Sequence, residues 1–127
     1  MRVRSMLAVL VALLLALAGC AEPKAGGVEI PDSAVGKQLQ WYLDAVNRTP
    51  LPESELAEHL GKDFIQDVPP EEFNEIAGTL AGLKVDELTD VKPDALVARV
   101  SVPEQAYKVE ISVDDKGKIG FLLITPQ

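Results

Sequence analysis

The stretch LVARVSVPEQAYKVEISVDDKGKIGFLLIT, residues 96–125, decides the fold of this chain. Apolar and polar residues alternate over 96–102 and again over 107–113, which is the period of two expected for a half-buried strand. The Asp-Asp-Lys-Gly sequence at 114–117 is typical of a hairpin turn, because its glycine can take a positive φ angle. Residues 118–125 then return as a third strand. The stretch therefore predicts an antiparallel meander.

The part of the chain before this meander has helical periodicity instead. A first helix is predicted after a cap at Asp32 or Ser33, with an apolar stripe of Val35, Leu39, Tyr42, Leu43 and Val46. A short second helix is predicted at 53–60, and Pro69-Pro70 opens a third that Gly82 could end. Residues 85–91 are predicted as a further edge strand. Helices followed by a meander predict an α+β fold in which a curved sheet cradles the first helix.

The first 20 residues have the pattern of a bacterial lipoprotein leader. Arg2 and Arg4 precede an almost wholly apolar run at 6–18, which is too short to span a membrane. Leu17-Ala18-Gly19-Cys20 resembles a lipobox, and Cys20 is the single cysteine of the chain. We therefore expect a signal peptide at 1–19 and lipidation of Cys20 with palmitate-type acyl chains. The alternative is an ordinary secreted protein with an incidental cysteine.

Composition and charge limit the partners of the remaining chain. All 20 acidic residues and ten of the 12 basic residues follow Cys20, so the processed chain has a net charge of −10. Such a charge argues against nucleic acid and against adhesion to anionic lipids through basic patches. Residues 20–33 contain several prolines and glycines and are predicted to be a flexible tether, and residues 34–127 a single domain.

Four segments resemble a known domain: GKQLQWYLDA at 36–45, HLGKDF at 59–64, Val-Pro at 68–69 and KIGFL at 118–122. The resemblance is to the N-terminal domain of the Cpe/LpqF family, typified by the open-reading-frame-twelve protein of the clavulanic acid cluster. It implies a cone-like, cystatin-like fold similar to nuclear transport factor two and ketosteroid isomerase. In that family the domain usually precedes a β-lactamase-like serine hydrolase domain, which would begin where this chain ends.

The hydrolase motifs of that family have no counterpart in this sequence, which contains neither Ser-x-x-Lys nor Gly-x-Ser-x-Gly. His59, the single histidine, is predicted to be a partly exposed structural residue, and no zinc ligand set is available. We therefore expect no metal, no cofactor and no catalytic residue. The alternative is a small isomerase or cyclase with a carboxylate base in the cone pocket, for which Asp44 and Asp63 are the candidates by residue type.

Some apolar residues depart from the simple pattern. Trp41 lies off the stripe of the first helix, and the last strand is apolar on both faces. If Ile119, Phe121 and Leu123 fill the cone, the residues of opposite parity point away from it. We therefore predict a contact surface at Trp41, Val97, Leu122 and Ile124. The alternative is that a helix or the tether covers this second face.

Taken together, the sequence predicts a lipid-anchored module on the extracytoplasmic face of a bacterial cell membrane. It would bind or assist another protein without catalytic activity of its own, with a β-lactamase-like serine hydrolase as one such protein. A homodimer through the sheet face is a further expectation. The alternative remains a small isomerase, a cyclase or an apolar-ligand binder that uses the cone pocket. A buried carboxylate beside a sizeable apolar cavity would favour the enzyme.

Overall fold

The computed structural model describes residues 28–127, which form four helices followed by four strands. The helices are α1 (Ala34–Ala45), α2 (Glu53–His59), α3 (Lys62–Asp67) and α4 (Pro70–Gly78). The strands are β1 (Lys84–Val91), β2 (Ala95–Val102), β3 (Gln105–Val113) and β4 (Ile119–Pro126). They form one antiparallel sheet in the order β1-β2-β3-β4. The predicted α+β fold is confirmed.

Helix α1 lies against the middle of the sheet, where it contacts β2 and β3. Ser33 caps it as predicted, since its Oγ accepts a hydrogen bond from the Gly36 N–H at 3.1 Å. The apolar stripe of α1 is buried except for the half-buried Leu43, and Leu39 and Tyr42 are among the largest fully buried side chains. Ile30 also packs against this core. The folded domain therefore includes part of the segment predicted as tether.

The three shorter helices agree only partly with the prediction. Helix α2 and the proline-initiated start of α4 lie where the sequence placed them. Helix α3 was not predicted, because six residues are too few for a periodic pattern. The end of α4 is also earlier than proposed, since the helix stops at Gly78 and Gly82 has a φ angle of +87° in the turn that follows.

The hairpin between β3 and β4 has the predicted turn. Gly117 has a φ angle of +78°, a conformation that other residues rarely adopt. The Asp114 side chain accepts hydrogen bonds from the backbone N–H groups of Lys116 and Lys118, at 2.8 and 2.9 Å. The Asp114 side chain thus stabilises the turn by accepting from the backbone of the residues that follow it.

Strand β4 contains the main departure from the sequence prediction. Val113 pairs with Ile119 and Ser112 pairs with Phe121, so Gly120 is an extra residue in β4 and forms a β-bulge. A bulge changes which side chains face the core on the residues that follow it. Ile119 is fully buried as expected, but beyond the bulge the alternation is reversed.

The prediction that Leu122 and Ile124 point away from the core is therefore wrong. Both pack against the core, whereas Phe121 and Leu123 are 48% and 46% exposed on the outer face. Val97 is half-buried and lies on this outer face, in one row with Glu110 and Leu123 across β2, β3 and β4. The outer face is consequently apolar at Phe121 and Leu123 instead of Leu122 and Ile124, whereas Val97 lies on it and stays a predicted contact residue.

Candidate functional site

An apolar groove lies between β4 and the helices α3 and α4. Its volume is about 180 Å³. The side chains that line it are all aliphatic or aromatic: Tyr42, Phe64, Val68, Phe73, Ile76, Leu122, Leu123 and Ile124. An apolar concave surface of this kind suits an apolar ligand or the side chains of a protein partner. We call it the β4 groove.

Aromatic rings form the interior wall of the β4 groove. Phe73 contacts Tyr42 and Phe64 edge to face, with ring centroids 5.8 and 6.5 Å apart. Burial raises the pKa of the Tyr42 hydroxyl above its ordinary value, so this group stays protonated. Ile76 marks the rim, where its side chain is 46% exposed. The wall is therefore uncharged at physiological pH, with an accessible aliphatic edge.

The groove depends on two features that the sequence pattern did not reveal. The bulge at Gly120 turns Leu122 and Ile124 toward the helices, and the unpredicted helix α3 supplies Phe64. The sequence offered one signal for the bulge, because an isolated glycine inside a strand pattern is typical of a bulge. Helix α3 has no comparable signal in its six residues.

A second, polar depression of about 500 Å³ lies beside the β3–β4 turn. It is lined by residues of α3 and of the hairpin: Gly61, Lys62, Asp63, Phe64, Asp114, Asp115, Lys116, Lys118 and Gly120. Backbone N–H groups of Lys118 and Lys116 lower the pKa of the Asp114 carboxyl, because they stabilise its charged form. The depression contains both positively charged lysines and negatively charged aspartates. Within residues 28–127, no group of histidine, cysteine and acidic residues is arranged to hold a metal.

The candidate bases of the isomerase hypothesis lie outside the β4 groove. Asp44 is on the exposed side of α1, where its Oδ2 accepts a hydrogen bond from Arg48 Nε at 2.7 Å. Asp63 is exposed and lines the polar depression. Across residues 28–127 no polar or charged residue is buried. Neither Asp44 nor Asp63 therefore provides the carboxylate in an apolar pocket that the isomerase hypothesis requires.

Trp41 is part of an intramolecular cluster between α1 and α2. Its ring stacks on the His59 ring, with centroids 4.2 Å apart and an interplanar angle of 10°. Its indole N–H donates to Glu55 Oε2 at 2.9 Å, and Arg48 Nη2 donates to the same oxygen at 2.8 Å. These contacts account for the half-buried position of Trp41 off the apolar stripe of α1, and its role as a contact residue stays a prediction.

His59 has the structural position expected from the sequence. It is half-buried, and its Nδ1 lies 2.9 Å from Gln38 Oε1. Burial lowers the pKa of the imidazole below 6.5, so its neutral form is favoured in the fold. Gln38 also donates to the Gly117 carbonyl oxygen at 2.8 Å. The histidine thus links α2 to α1 and, through Gln38, to the β3–β4 turn.

The predicted anchor lies outside the part of the chain that the structure describes. This applies to Cys20 and to the leader at 1–19, for which lipidation stays a prediction. Over residues 28–127, none of the helices has both the length and the apolar character needed to span a membrane.

These features define a small α+β domain with a curled antiparallel sheet, a buried apolar core and an apolar groove at the sheet edge. The chain belongs to the family described as ORF 12 gene product N-terminal, whose model matches residues 30–119. The match runs from Ile30, which packs against the core, to the first residue of β4, and it confirms the family resemblance seen in the sequence. No curated protein matches the chain.

Proposed function

We propose that this protein is a lipid-anchored extracytoplasmic module that binds or assists another protein and has no catalytic activity of its own. The observation that supports this proposal is the β4 groove. All eight of its lining residues are apolar or aromatic, and Ile76 on its rim is nearly half exposed. Exposed apolar surface beside a concavity is typical of interaction sites.

The location of the ionisable groups favours binding over catalysis. General acid–base chemistry requires a carboxylate or imidazole within hydrogen-bond reach of the reacting atoms. Asp44 and Asp63 are solvated, and His59 is stacked on Trp41 away from the groove. The walls of the β4 groove can exclude water from an apolar side chain, but they supply no group that transfers a proton at neutral pH.

The family resemblance suggests a β-lactamase-like serine hydrolase as the assisted protein. We expect it to be held at the membrane surface through Cys20 of this chain. A groove of about 180 Å³ has room for one or two apolar side chains rather than a large ligand. Protein contacts on this scale serve as local anchors of a larger interface.

Site-specific photocrosslinking in cells tests the proposal on the full chain. A benzophenone amino acid replaces Ile76 at the groove rim or, as the matched control, Val91 on β1. These two residues are 46% and 51% exposed, and Val91 lies outside the groove. We expect a crosslinked protein in the membrane fraction from position 76 only, and labelling of that product by a fluorophosphonate probe if it contains a serine hydrolase.

Two results would contradict the proposed function. One is the absence of any product from position 76, or the same products from both positions. The other is turnover of a chromogenic β-lactam or ester by the purified chain that is abolished by a single substitution in it. A product at position 76 that does not react with the fluorophosphonate would retain the binding role and exclude a serine hydrolase as the partner.

A further inference from the structure

The two edges of the sheet differ in how they oppose pairing with another chain. Strand β1 carries four charged side chains and has two register shifts against β2; the charged residues are Lys84, Asp86, Glu87 and Asp90. Strand β4 has no charged residue at all. Charges and bulges along an edge strand disfavour the addition of a further strand. β1 is therefore protected against strand addition, whereas the part of β4 between its bulge at Gly120 and Pro126 is not.

Strand β4 also offers apolar side chains on both faces. Phe121 and Leu123 are about half exposed on the outer face, and Leu122 and Ile124 form part of the β4 groove on the other. Because side chains of a strand alternate between faces, a strand placed beside β4 would have apolar neighbours above and below the sheet. Such burial favours an occupant with apolar residues on both faces.

The first residue of β4 shows that this edge can accept a strand. The Gly61 N–H donates to the Ile119 carbonyl oxygen at 2.8 Å, and Leu60 forms a parallel bridge with Ile119. The chain then turns into α3 at Lys62. Within residues 28–127, the rest of this edge has no neighbouring strand.

The charged residues beside the groove indicate which charge its occupant carries. Ile76, on the groove rim, also borders a depression on α4 that is lined by Glu71, Glu72 and Glu75. These carboxylates attract lysine and arginine side chains and repel acidic ones. A second copy of this chain would bring the same glutamates and a net charge of −10 after processing, so charge disfavours it.

We propose that β4 accepts an extended, basic and apolar peptide segment of a partner protein as a fifth strand. Backbone hydrogen bonds to the free edge of β4 provide the affinity, and an apolar side chain enters the β4 groove. Lysine or arginine side chains of the segment contact Glu72 and Glu75 on α4. This inference rests on the proposed binding function and specifies the chemistry and conformation of the partner.

Anisotropy titration of a labelled synthetic peptide tests this inference on the full chain in phosphatidylcholine nanodiscs. The peptide has nine residues, in which five alternating valines and leucines lie between paired terminal lysines, so that both of its faces are apolar. Two further versions carry N-methyl groups on alternate residues, so that each blocks the hydrogen bonds of one peptide edge only. We expect one N-methylated version to bind about tenfold or more weakly and the other to bind like the parent peptide.

Matched protein variants test the charge and the location. We expect the double change Glu72→Gln and Glu75→Gln to weaken binding about threefold or more and to reduce its salt dependence. The same kind of change on the opposite edge, Asp86→Asn with Glu87→Gln, should leave the affinity unchanged. Leu123→Thr should weaken binding while Val91→Thr does not, and circular dichroism verifies that each variant is folded.

Equal affinity of the two N-methylated peptides, or no saturable binding of the parent peptide, would overturn the inference. Sedimentation that shows a dimer through β4 without peptide binding would overturn it in favour of a second copy. In either case a crosslinked product from position 76 but not from position 91 would leave the proposed function in place. Failure of both experiments would reject both proposals.

Discussion

Asn74 shows at the scale of one residue how a polar side chain stabilises this small domain. Its Oδ1 accepts a hydrogen bond from the Leu51 N–H at 2.7 Å, and its Nδ2 donates to the Leu51 carbonyl oxygen at 3.1 Å. Leu51 is only 4% exposed, so water has little access to its backbone groups. One side chain on α4 therefore satisfies both backbone groups of the residue that leads into α2.

We predict that Asn74→Ala lowers the free energy of unfolding by about 2 kcal/mol, because it leaves a shielded donor and acceptor without partners. Asn74→Asp should also be destabilising, because it keeps an acceptor for the Leu51 N–H but places a carboxylate oxygen against the Leu51 carbonyl oxygen. Urea unfolding followed by circular dichroism measures both changes. As a control, Thr79→Ala removes an exposed hydrogen bond to Ile76 and should be nearly neutral. Equal stability of the Asn74→Ala variant and the unsubstituted chain would contradict this account.

Glu55 has the most strongly shifted carboxyl pKa among the described residues for which a shift is resolved. Hydrogen bonds from Arg48 and then from Trp41 lower this pKa from 4.5 to about 2. Because the pKa is lower in the folded chain, the stabilisation is present above pH 4.5 and is lost as the pH falls toward 2. The cluster around Trp41 is therefore expected to weaken in acid.

We predict that Glu55→Gln removes part of the loss of stability between about pH 5 and pH 2. Thermal unfolding midpoints at several pH values measure this dependence. Glu53→Gln, a substitution of an exposed residue on the same helix, is the control and should leave the acid-dependent loss unchanged. Identical pH dependence in the unsubstituted chain and in Glu55→Gln would contradict the assignment.

At the scale of single elements, the bulge in β4 determines which surface the domain presents. One extra residue at Gly120 exchanges the faces of the four apolar residues that follow it. A Cβ at this position would meet no atom closer than 3.9 Å, so space does not require glycine here. The bulge makes the groove apolar and leaves Phe121 and Leu123 accessible at the edge.

Cysteine labelling tests this arrangement in a chain whose native thiol is removed by Cys20→Ala. We predict that a thiol at position 123 reacts with a disulfide reagent several times faster than one at position 122, because Leu123 is 46% exposed and Leu122 packs against the core. Ile124→Cys should react slowly, like Leu122→Cys. Faster reaction at position 122 than at 123 would restore the face assignment made from the sequence.

At the scale of the whole molecule, the predicted leader and the acidic domain differ in charge and polarity. We therefore expect different surroundings for these two parts of the chain. A basic and apolar segment, predicted to be a leader, precedes Cys20, and an acidic domain with a shallow groove follows it. Two acyl chains attach a protein stably where one gives only reversible binding. Lipidation would then keep the β4 groove close to the membrane surface.

We predict that Cys20→Ala abolishes incorporation of labelled palmitate, and that the chain accumulates as precursor or is released to the medium. The physical reason is that the thiol is the predicted site of alkylation and the sequence contains no other cysteine. Membrane fractionation after labelling measures the effect. Gly19→Ala, a small-for-small change beside the lipobox cysteine, should still be labelled. Unchanged labelling of Cys20→Ala would exclude the predicted anchor.

The amino-acid sequence determined the fold class and most of the elements of this domain. Alternation with a period of two fixed β2 and β3, the stripe containing Leu39 and Tyr42 fixed α1, and Gly117 fixed the hairpin turn. These signals are local, because each depends on residues that are neighbours on one element. The family was likewise visible in short segments and is confirmed by the match over residues 30–119.

Only the tertiary structure decided the candidate site. The bulge at Gly120 depends on how β4 pairs with β3, and helix α3 places Phe64 against residues of two other elements. Trp41 was ambiguous in the sequence, because its partners His59 and Glu55 lie on another helix. The pattern of a strand sequence indicates that side chains alternate between the two faces of the sheet, but it does not indicate where this alternation is interrupted. That is set by register and packing, which bring distant residues together only in the folded chain.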